Sequence, residues 1–542
     1  MSDTPSIAED DELAAADSAP QPSDENTTDP RHVFLLNRLL YKGVLPRYAF
    51  PTDVATFYVF DPNRSQFTRP AFRFSPSQGL AIALTSYGPG KEVWIDGKRF
   101  ESGAIYSPIR NERFNAWKDK CLYYECSNCH YACTRALEKG VKGEIVDCPA
   151  CGREDTFGQA RYWFRPSGFA HPVGRPESVS PDDTPAKSYA TRAKLNAPTP
   201  EASAATWRKN SDRTRVHYLR DKLLVTNTGP RQEGYTYCTI CGMIEPTSLA
   251  SGKLLQAHPK PYPDVREPNC RGGMASTGVC LGTDFITDIL LISMRVKPPV
   301  RLTPGMLATE IALRTVSEAI AKATSLVLDL ENGEVQADFR AALTDDGQSG
   351  LEAEIYLYDT LAGGAGFSRI AGEQAHAVFE KAVELLGGCD CDSSCYRCLR
   401  SFKNKFEHDR LDRRLGLDLL RYLLFNELPI LSENRTRQSV LMLSEDVKRQ
   451  SEKGLAVDLN ASVSIPGIGA VIAPMLVRSQ GGRELIVAIS HPLSSQSLPT
   501  KELEETAEYS SFPVFLVHEL RVRRSLPSAT RDILAQIGDN LS

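Results

Sequence analysis

The chain has no Gly-Lys-Ser or Gly-Lys-Thr anywhere, so the lysine loop that grips phosphates in NTPases is missing and no ATPase activity of its own is expected. No apolar run approaches the roughly 20 residues that cross a membrane. A charged segment followed by an apolar one, the mark of a secretory signal, is also lacking at the start; with thiols free to bind metal, this points to the cytoplasm. The first thirty residues hold nine acidic side chains and no Lys or Arg. The whole chain of 542 residues carries 63 Lys plus Arg against 68 Asp plus Glu, so beyond that stretch the balance is 63 against 59. A slightly basic body permits nucleic-acid contact without demanding it. Residues 1–31, rich in Asp, Ser and Pro, read as a disordered acidic tail.

What the chain does have is cysteine, fourteen in all, gathered in clusters. The densest is Cys389, Cys391, Cys395 and Cys398. Four thiolates this close reach one tetrahedral ion only if the backbone turns sharply, and Asp390, Asp392, Ser393 and Ser394 tolerate such turns. Earlier, Cys126 and Cys129 are separated by eighteen residues from Cys148 and Cys151. Two C-x-x-C knuckles at this distance are the signature of a zinc ribbon, and the second knuckle argues against a thioredoxin-like redox role. Cys121 and Cys133 lie nearby as core residues or alternative ligands. A third region opens on Cys238 and Cys241, with His258, Cys270 and Cys280 competing for the two remaining places. Full sets of Cys and His ligands close the shell of the ion, so about three structural Zn2+ ions are expected and no catalytic metal.

Around the densest cluster the pattern is readable. Leu351, Ala353, Ile355 and Leu357 alternate with Glu352, Glu354, Tyr356 and Tyr358, the period of a strand with one buried face. Asp359 leads into Gly363-Gly364-Ala365-Gly366 and then a helical pattern from Phe367 to Leu386. The glycine stretch is either a tight turn that packs helix on strand or a loop whose N–H groups contact phosphate. Leu411, Leu415, Leu419 and Leu423 form the stripe of another helix. Arg410, Arg413, Arg414 and Arg421 lie largely off that stripe, following Arg397, Arg400, Lys403 and Lys405. These cations could track a phosphate backbone, or form a solvated face with the interleaved acids.

The runs YDTLAGGAGFSRIA and CDCDSSCYRCLRS, followed by the Leu-rich helix, resemble the zinc-binding module at the C-terminus of MrfA-type superfamily 2 helicases. LPRYAFPTDV and SYGPGKEVWIDGKRFESGAIY resemble the segment before that module. The resemblance implies Cys238, Cys241, His258 and Cys270 as the second zinc set, with Cys280 as the alternative to His258. Proteins carrying this region with several cysteine sites and no motor resemble the DrmB family of the DISARM anti-phage defence system. That implies a complex with a separately encoded helicase-like, DrmA-like ATPase, and DNA contact through the complex.

The expected architecture is α+β and multidomain. It comprises the tail, a β-rich platform over 32–115, the ribbon over 116–165 and a Pro/Ser/Ala-rich linker over 166–205. The second zinc region over 206–300 and an α/β unit with the four-cysteine module over 301–425 follow, then a small β-rich domain over 426–542. Within these, HVFLLNRLLYKG from His32 reads as a short helix and Leu80–Leu84 as a strand. SLVLDLENGEVQADFRAAL reads as two strands hinged on Asn332-Gly333. The last domain is the alternative seat of a nuclease, but Ile486 stands where a lysine would follow Glu484, and His491 and His518 have no partners identifiable from sequence. A scaffold for other defence subunits is the remaining alternative.

Overall fold

A computed structural model describes residues 53–65, 70–175, 190–197, 206–248, 252–451, 455–494 and 500–538. The acidic tail and the short helix expected from His32 lie outside these residues. β1 (Val54–Phe60) pairs in parallel with Phe169–His171 and antiparallel with Phe72–Phe74 and Ser77–Gly79. The strand expected over Leu80–Leu84 is instead α1 (Leu80–Ser86), since Leu80, Ala83 and Leu84 fall at the i, i+3, i+4 spacing that buries one face of a helix. The ribbon hairpin is β2 (Cys121–Glu125) with β3 (Ala132–Arg135), and β4 (Arg161–Phe164) returns along the other edge of β2. The linker reading over 166–205 needs correction at both its described parts. Phe169–His171 is a buried strand, and Lys194–Leu195 pairs with Leu224 and Leu223, because their apolar side chains fill the core beside the main sheet. Residues 176–189 and 198–205 lie outside the described set.

The main sheet is built on two long strands, β5 (Thr214–Asn227) and, after β6 (Tyr235–Cys238), β7 (Ala275–Arg295). β5 and β7 pair antiparallel over fourteen residues, from Thr214 opposite Met294 to Asn227 opposite Leu281. β4 and β9 take the other edge of β7, and β6 pairs antiparallel with its first residues, from Val279 to Ala275. The chain then runs through α2 (Leu307–Val327), β8 (Val335–Ala342) and β9 (Glu352–Asp359), with β8 paired to β9. No hairpin forms at Asn332-Gly333. Val327, Leu328 and Leu330 pack on the helical side of the core, and that burial outweighs the strand propensity of the segment.

β9 also departs from the expected single buried face: all eight of its residues are buried. Ile355 and Leu357 join α2, α4 (Ala375–Gly387) and α5 (Arg413–Phe425), while Tyr356 and Tyr358 meet the platform around Phe57 and Leu84. α3 (Phe367–Glu373) precedes α4, so the helical pattern from Phe367 to Leu386 is two helices broken at Gln374. Covering both faces requires that the acids of β9 be neutralised by pairing. Glu352, 1% exposed, binds Arg215 at 3.0 Å and Arg295 at 3.0 Å, and Glu354 binds Arg340 at 2.7 Å.

The last domain carries α6 (Glu433–Gln450), β10 (Ala456–Ile465), β11 (Gly469–Arg478), β12 (Glu484–Ser490), α7 (Lys501–Tyr509), β13 (Val514–His518), α8 (Glu519–Arg524) and α9 (Leu526–Ile537). Its sheet order is β10-β11-β12-β13, antiparallel except for the parallel β12–β13 pair, whose crossover is α7. It is therefore an α/β layer, not a small β-rich domain. Val440, Leu443 and Val447 of α6 and Ile533 and Leu534 of α9 cover one face, and Leu503 of α7 the other. A buried ion network locks it to the cysteine unit. Arg435 of α6 binds Asp418 of α5 at 2.7 Å and Glu519 of α8, His491 meets the same Asp418 oxygen at 3.0 Å, and Arg523 binds Asp412 at 2.7 Å.

Burial alone would raise the carboxyls of Asp418 and Glu519, but His491 and Arg435 hold the first, and Arg435 the second, below the usual carboxylate range. Depressed values mean that the stabilisation is present above the unfolded pKa of about 4 and is lost as pH falls through the lower folded values. Removing one member of a buried pair costs about 3–5 kcal/mol. Arg435→Ala should therefore separate unfolding of residues 426–538 from the rest in a denaturant titration at neutral pH. An unchanged single transition would show that the network does not hold the domain.

Candidate metal centres

Ligands about 2.3 Å from a tetrahedral ion lie about 3.8 Å apart, whereas a disulfide brings two sulfurs to about 2.05 Å. In the ribbon, Cys126 Sγ and Cys151 Sγ are 3.8 Å apart and Cys129 Sγ and Cys148 Sγ 3.6 Å. The knuckle turn aims the backbone N–H groups of Asn128 and Cys129 at Cys126 Sγ, both at 3.4 Å, an arrangement that favours a thiolate.

The second site joins Cys238, at the end of β6, to Cys270 at 3.8 Å, and Cys241 to His258 Nε2 at 3.2 Å. All four residues are buried. His258 Nδ1 lies 2.7 Å from the Gln256 carbonyl; donation to that oxygen fixes the tautomer with Nε2 free to ligate. Cys280 is not a ligand. It sits fully buried on β7 opposite Trp163, where burial pushes its thiol up to about 12. Cys121, on the other side of Trp163, is raised to about 12 chiefly by burial, and burial raises Cys133 too. These three are neutral core thiols, and the other eleven cysteines with His258 make three sets of four.

The third set lies between α4 and α5. Cys389 and Cys395 are 3.5 Å apart, and Cys398 is 3.7 Å from both Cys391 and Cys395. In each set the ligand atoms lie within 4.8 Å of one another, and the three sets suit three zinc ions. The cysteine loop is fastened from two helices. Lys322 of α2 donates to the carbonyls of Arg397 and Cys398, at 2.9 and 2.7 Å. Arg413 Nε donates to the Cys391 carbonyl at 2.6 Å, and its backbone N–H to Ser393 O at 2.7 Å. Lys322 was not identifiable from sequence, because nothing in a helix pattern marks one lysine as a fastener.

The glycine stretch before α3 is a turn already filled by the protein's own acids. Asp359 accepts from the backbone N–H groups of Ala365, Phe367 and Ser368, and Asp288 from Gly366 N at 3.0 Å. Gly364 has φ +74°, and a Cβ there would lie 2.1 Å from Asp288 Oδ2. Of the two readings of this stretch, the tight turn is the one observed.

The basic residues divide into two groups. Arg413 is half-buried in the hydrogen bonds above, Arg414 pairs with Asp392 at 3.0 Å, and Arg400 Nε donates to Ser394 Oγ at 3.0 Å. Arg410 approaches Glu310 at 3.8 Å, and Lys403 donates to Asn332 O at 2.8 Å. Arg397 and Lys405 are exposed among large aromatic rings: Tyr396, Phe402 and Phe406 are 67%, 77% and 61% exposed. Lys405 Nζ lies 4.2 Å from the ring centre of Phe402 and 4.9 Å from that of Phe406. In the last domain His491 is bound to Asp418, and His518 Nδ1 accepts from Arg521 N at 3.2 Å as the cap of α8. Glu484 and Asp458 both pair with Arg478.

Residues 316–399 match the family of the MrfA Zn-binding domain. Druantia protein DruE of Escherichia coli is 31% identical over 421 residues, covering 73% of this chain and 22% of that protein. An uncharacterised protein of Methanocaldococcus jannaschii is 33% identical over 73 residues, covering 14% of this chain and 65% of that protein. The chain thus spans only 22% of the length of DruE. The crystal structure of the DUF1998 helicase MrfA bound to DNA superposes on 69% of this chain and 34% of that chain. That superposition has 13% identity and a TM-score of 0.33.

Replacing one ligand should release one ion and unfold its module, whereas a core thiol should be dispensable for metal. Cys395→Ser is expected to lower bound zinc from about three to about two per chain by elemental analysis, and Cys280→Ala to leave it at about three. Loss of zinc from Cys280→Ala would remove His258 from the second site.

Proposed function

We propose that this chain is a non-catalytic, zinc-stapled DNA-contacting component that works with a separately encoded helicase or translocase in bacterial anti-phage defence. In this reading it stands to its ATPase as a DrmB-like protein to a DrmA-like one. The similarity to DruE and the match over residues 316–399 support placing the chain among helicase-associated defence proteins. The observation that carries the DNA contact is the surface beside the third cysteine set, where Tyr396, Phe402 and Phe406 stand exposed with Arg397 and Lys405.

Exposed rings of this size are costly in water unless something covers them. Rings interleaved with cations suit a single strand of nucleic acid, whose bases stack on any aromatic face and whose phosphates pair with Lys and Arg. The zinc and its two fastening side chains would keep this surface rigid, so that binding orders little of the protein. Ligand sets filled by Cys and His leave no open position for an activated water, which supports a structural role for the metal.

The test is co-purification with the helicase-like product of a neighbouring gene, followed by binding of single-stranded DNA to the eluted complex. A base stacked on an aromatic side chain is worth about 1–3 kcal/mol, so Phe402→Ala should weaken binding about 5- to 150-fold while zinc stays bound. A chain that elutes alone and binds no DNA would sink the proposal.

A further inference from the structure

A second cationic surface lies apart from the zinc sites, in a cleft of about 450 Å³ between the start of α2 and the last domain. Its lining includes Arg301, Arg521, Arg524 and His518 and, among the described residues, no carboxylate. The charges are not equally free. Arg521 pairs with Asp532 behind it and donates to Ser528 Oγ at 3.0 Å. Arg524 is held by two backbone carbonyls, those of Asp409 and Leu411; among the described residues no carboxylate oxygen touches it, while Asp412, Asp409 and Asp392 lie near enough to favour its charge. Arg301 is exposed and its side chain has no partner among the described residues, while its backbone N–H is fixed to Leu493 O at 2.9 Å. Because His518 Nδ1 accepts a hydrogen bond, the neutral ring carries its proton on Nε2, its single donor. Met306 and Leu307, 50% and 51% exposed, give the cleft an apolar wall.

Two cations without a contacting carboxylate, a further donor and an apolar wall are complementary to a phosphodiester with its sugar. The volume is within the range of small-ligand sites. The cleft is also pre-formed. Arg524 ties α8 to the segment before α5, and the Asp418–Arg435–Glu519 network holds the same interface closed.

We infer that this cleft is a second phosphate-contacting site for a nucleic-acid strand, formed jointly by α2 and the last domain. This rests on the DNA-contacting role proposed above. It gives residues 426–538 a part in DNA contact that needs no catalytic centre.

The test measures the salt dependence of DNA affinity for the full chain, using a fluorescent single-stranded oligonucleotide. Each phosphate contact contributes about 0.7 to the slope of log K against log salt on a single strand. Arg301→Glu should reduce that slope by about one contact, Arg301→Lys should restore it, and zinc should remain at three per chain. Lys405→Glu, beside the third cysteine set, serves as the separate probe of the first surface. If Lys405→Glu lowers the slope and Arg301→Glu does not, the cleft assignment is overturned while the DNA reading stands. If the unmodified chain binds no oligonucleotide either alone or with its helicase-like partner, both fall. Competition at the Arg301-dependent site by millimolar inorganic phosphate as effectively as by the oligonucleotide would replace the strand with a free phosphate compound and overturn the assignment as stated.

Discussion

A strand hydrogen-bonded along both edges and covered on both faces has no side left for water, and Ala275–Arg295 meets that description over much of its length. Its consequence runs through the molecule. Leu290, Ile292 and Met294 face the helices, while Ile289 and Leu291 face the platform, so two cores share one strand. The ribbon reaches it through β4, the second zinc site through β6 and the cysteine unit through β9. Modules that would each be too small to fold alone thereby acquire a common wall. Zinc then supplies what their small cores cannot, by tying loops that carry few apolar residues.

The same constraint explains the ion pairs. A sheet without a solvent side can hold carboxylates only if each is paired or hydrogen-bonded in place; Glu352 and Glu354 have arginines, and Asp288 and Asp359 accept backbone N–H groups. Asp359 does more than survive burial. By occupying the first turn of α3 it fixes how that helix leaves the sheet, and so where α4 delivers Cys389. Acids in the middle of the sheet are in this sense part of the metal site.

Sequence reveals local chemistry better than it reveals what covers a surface. The ribbon and the four-cysteine cluster were legible because the ligands of each follow one another at fixed spacings. His258 was harder, since only the fold brings it beside Cys241, and Cys280 matched it in residue type until burial opposite Trp163 separated the two. The alternation in β9 was read correctly as a strand and wrongly as half-exposed. Periodicity reports which residues share a face but not whether another layer covers the second one. The helix expected over 307–324 and the final helix are present, but the continuation of the first through Val327 and the helix Glu433–Gln450 were hidden for a related reason. Their segments carry strand-forming residues whose burial, settled only by distant partners, decides the outcome.

Counting Arg and Lys near the cysteines would credit the surface with more free charge than it has. Arg413, Arg414 and Arg400 spend their donors on the loop that carries the ligands, and removing any of them acts first on the metal site. Arg397 and Lys405 have no such duty, and they stand among rings that the fold leaves uncovered. The useful distinction is therefore between cations that complete the protein and cations that the protein leaves incomplete. By that measure Arg397 and Lys405 beside the third cysteine set and Arg301 before α2 are left incomplete, and α2 links the two places, with its start at the cleft and Lys322 near its end on the cysteine loop.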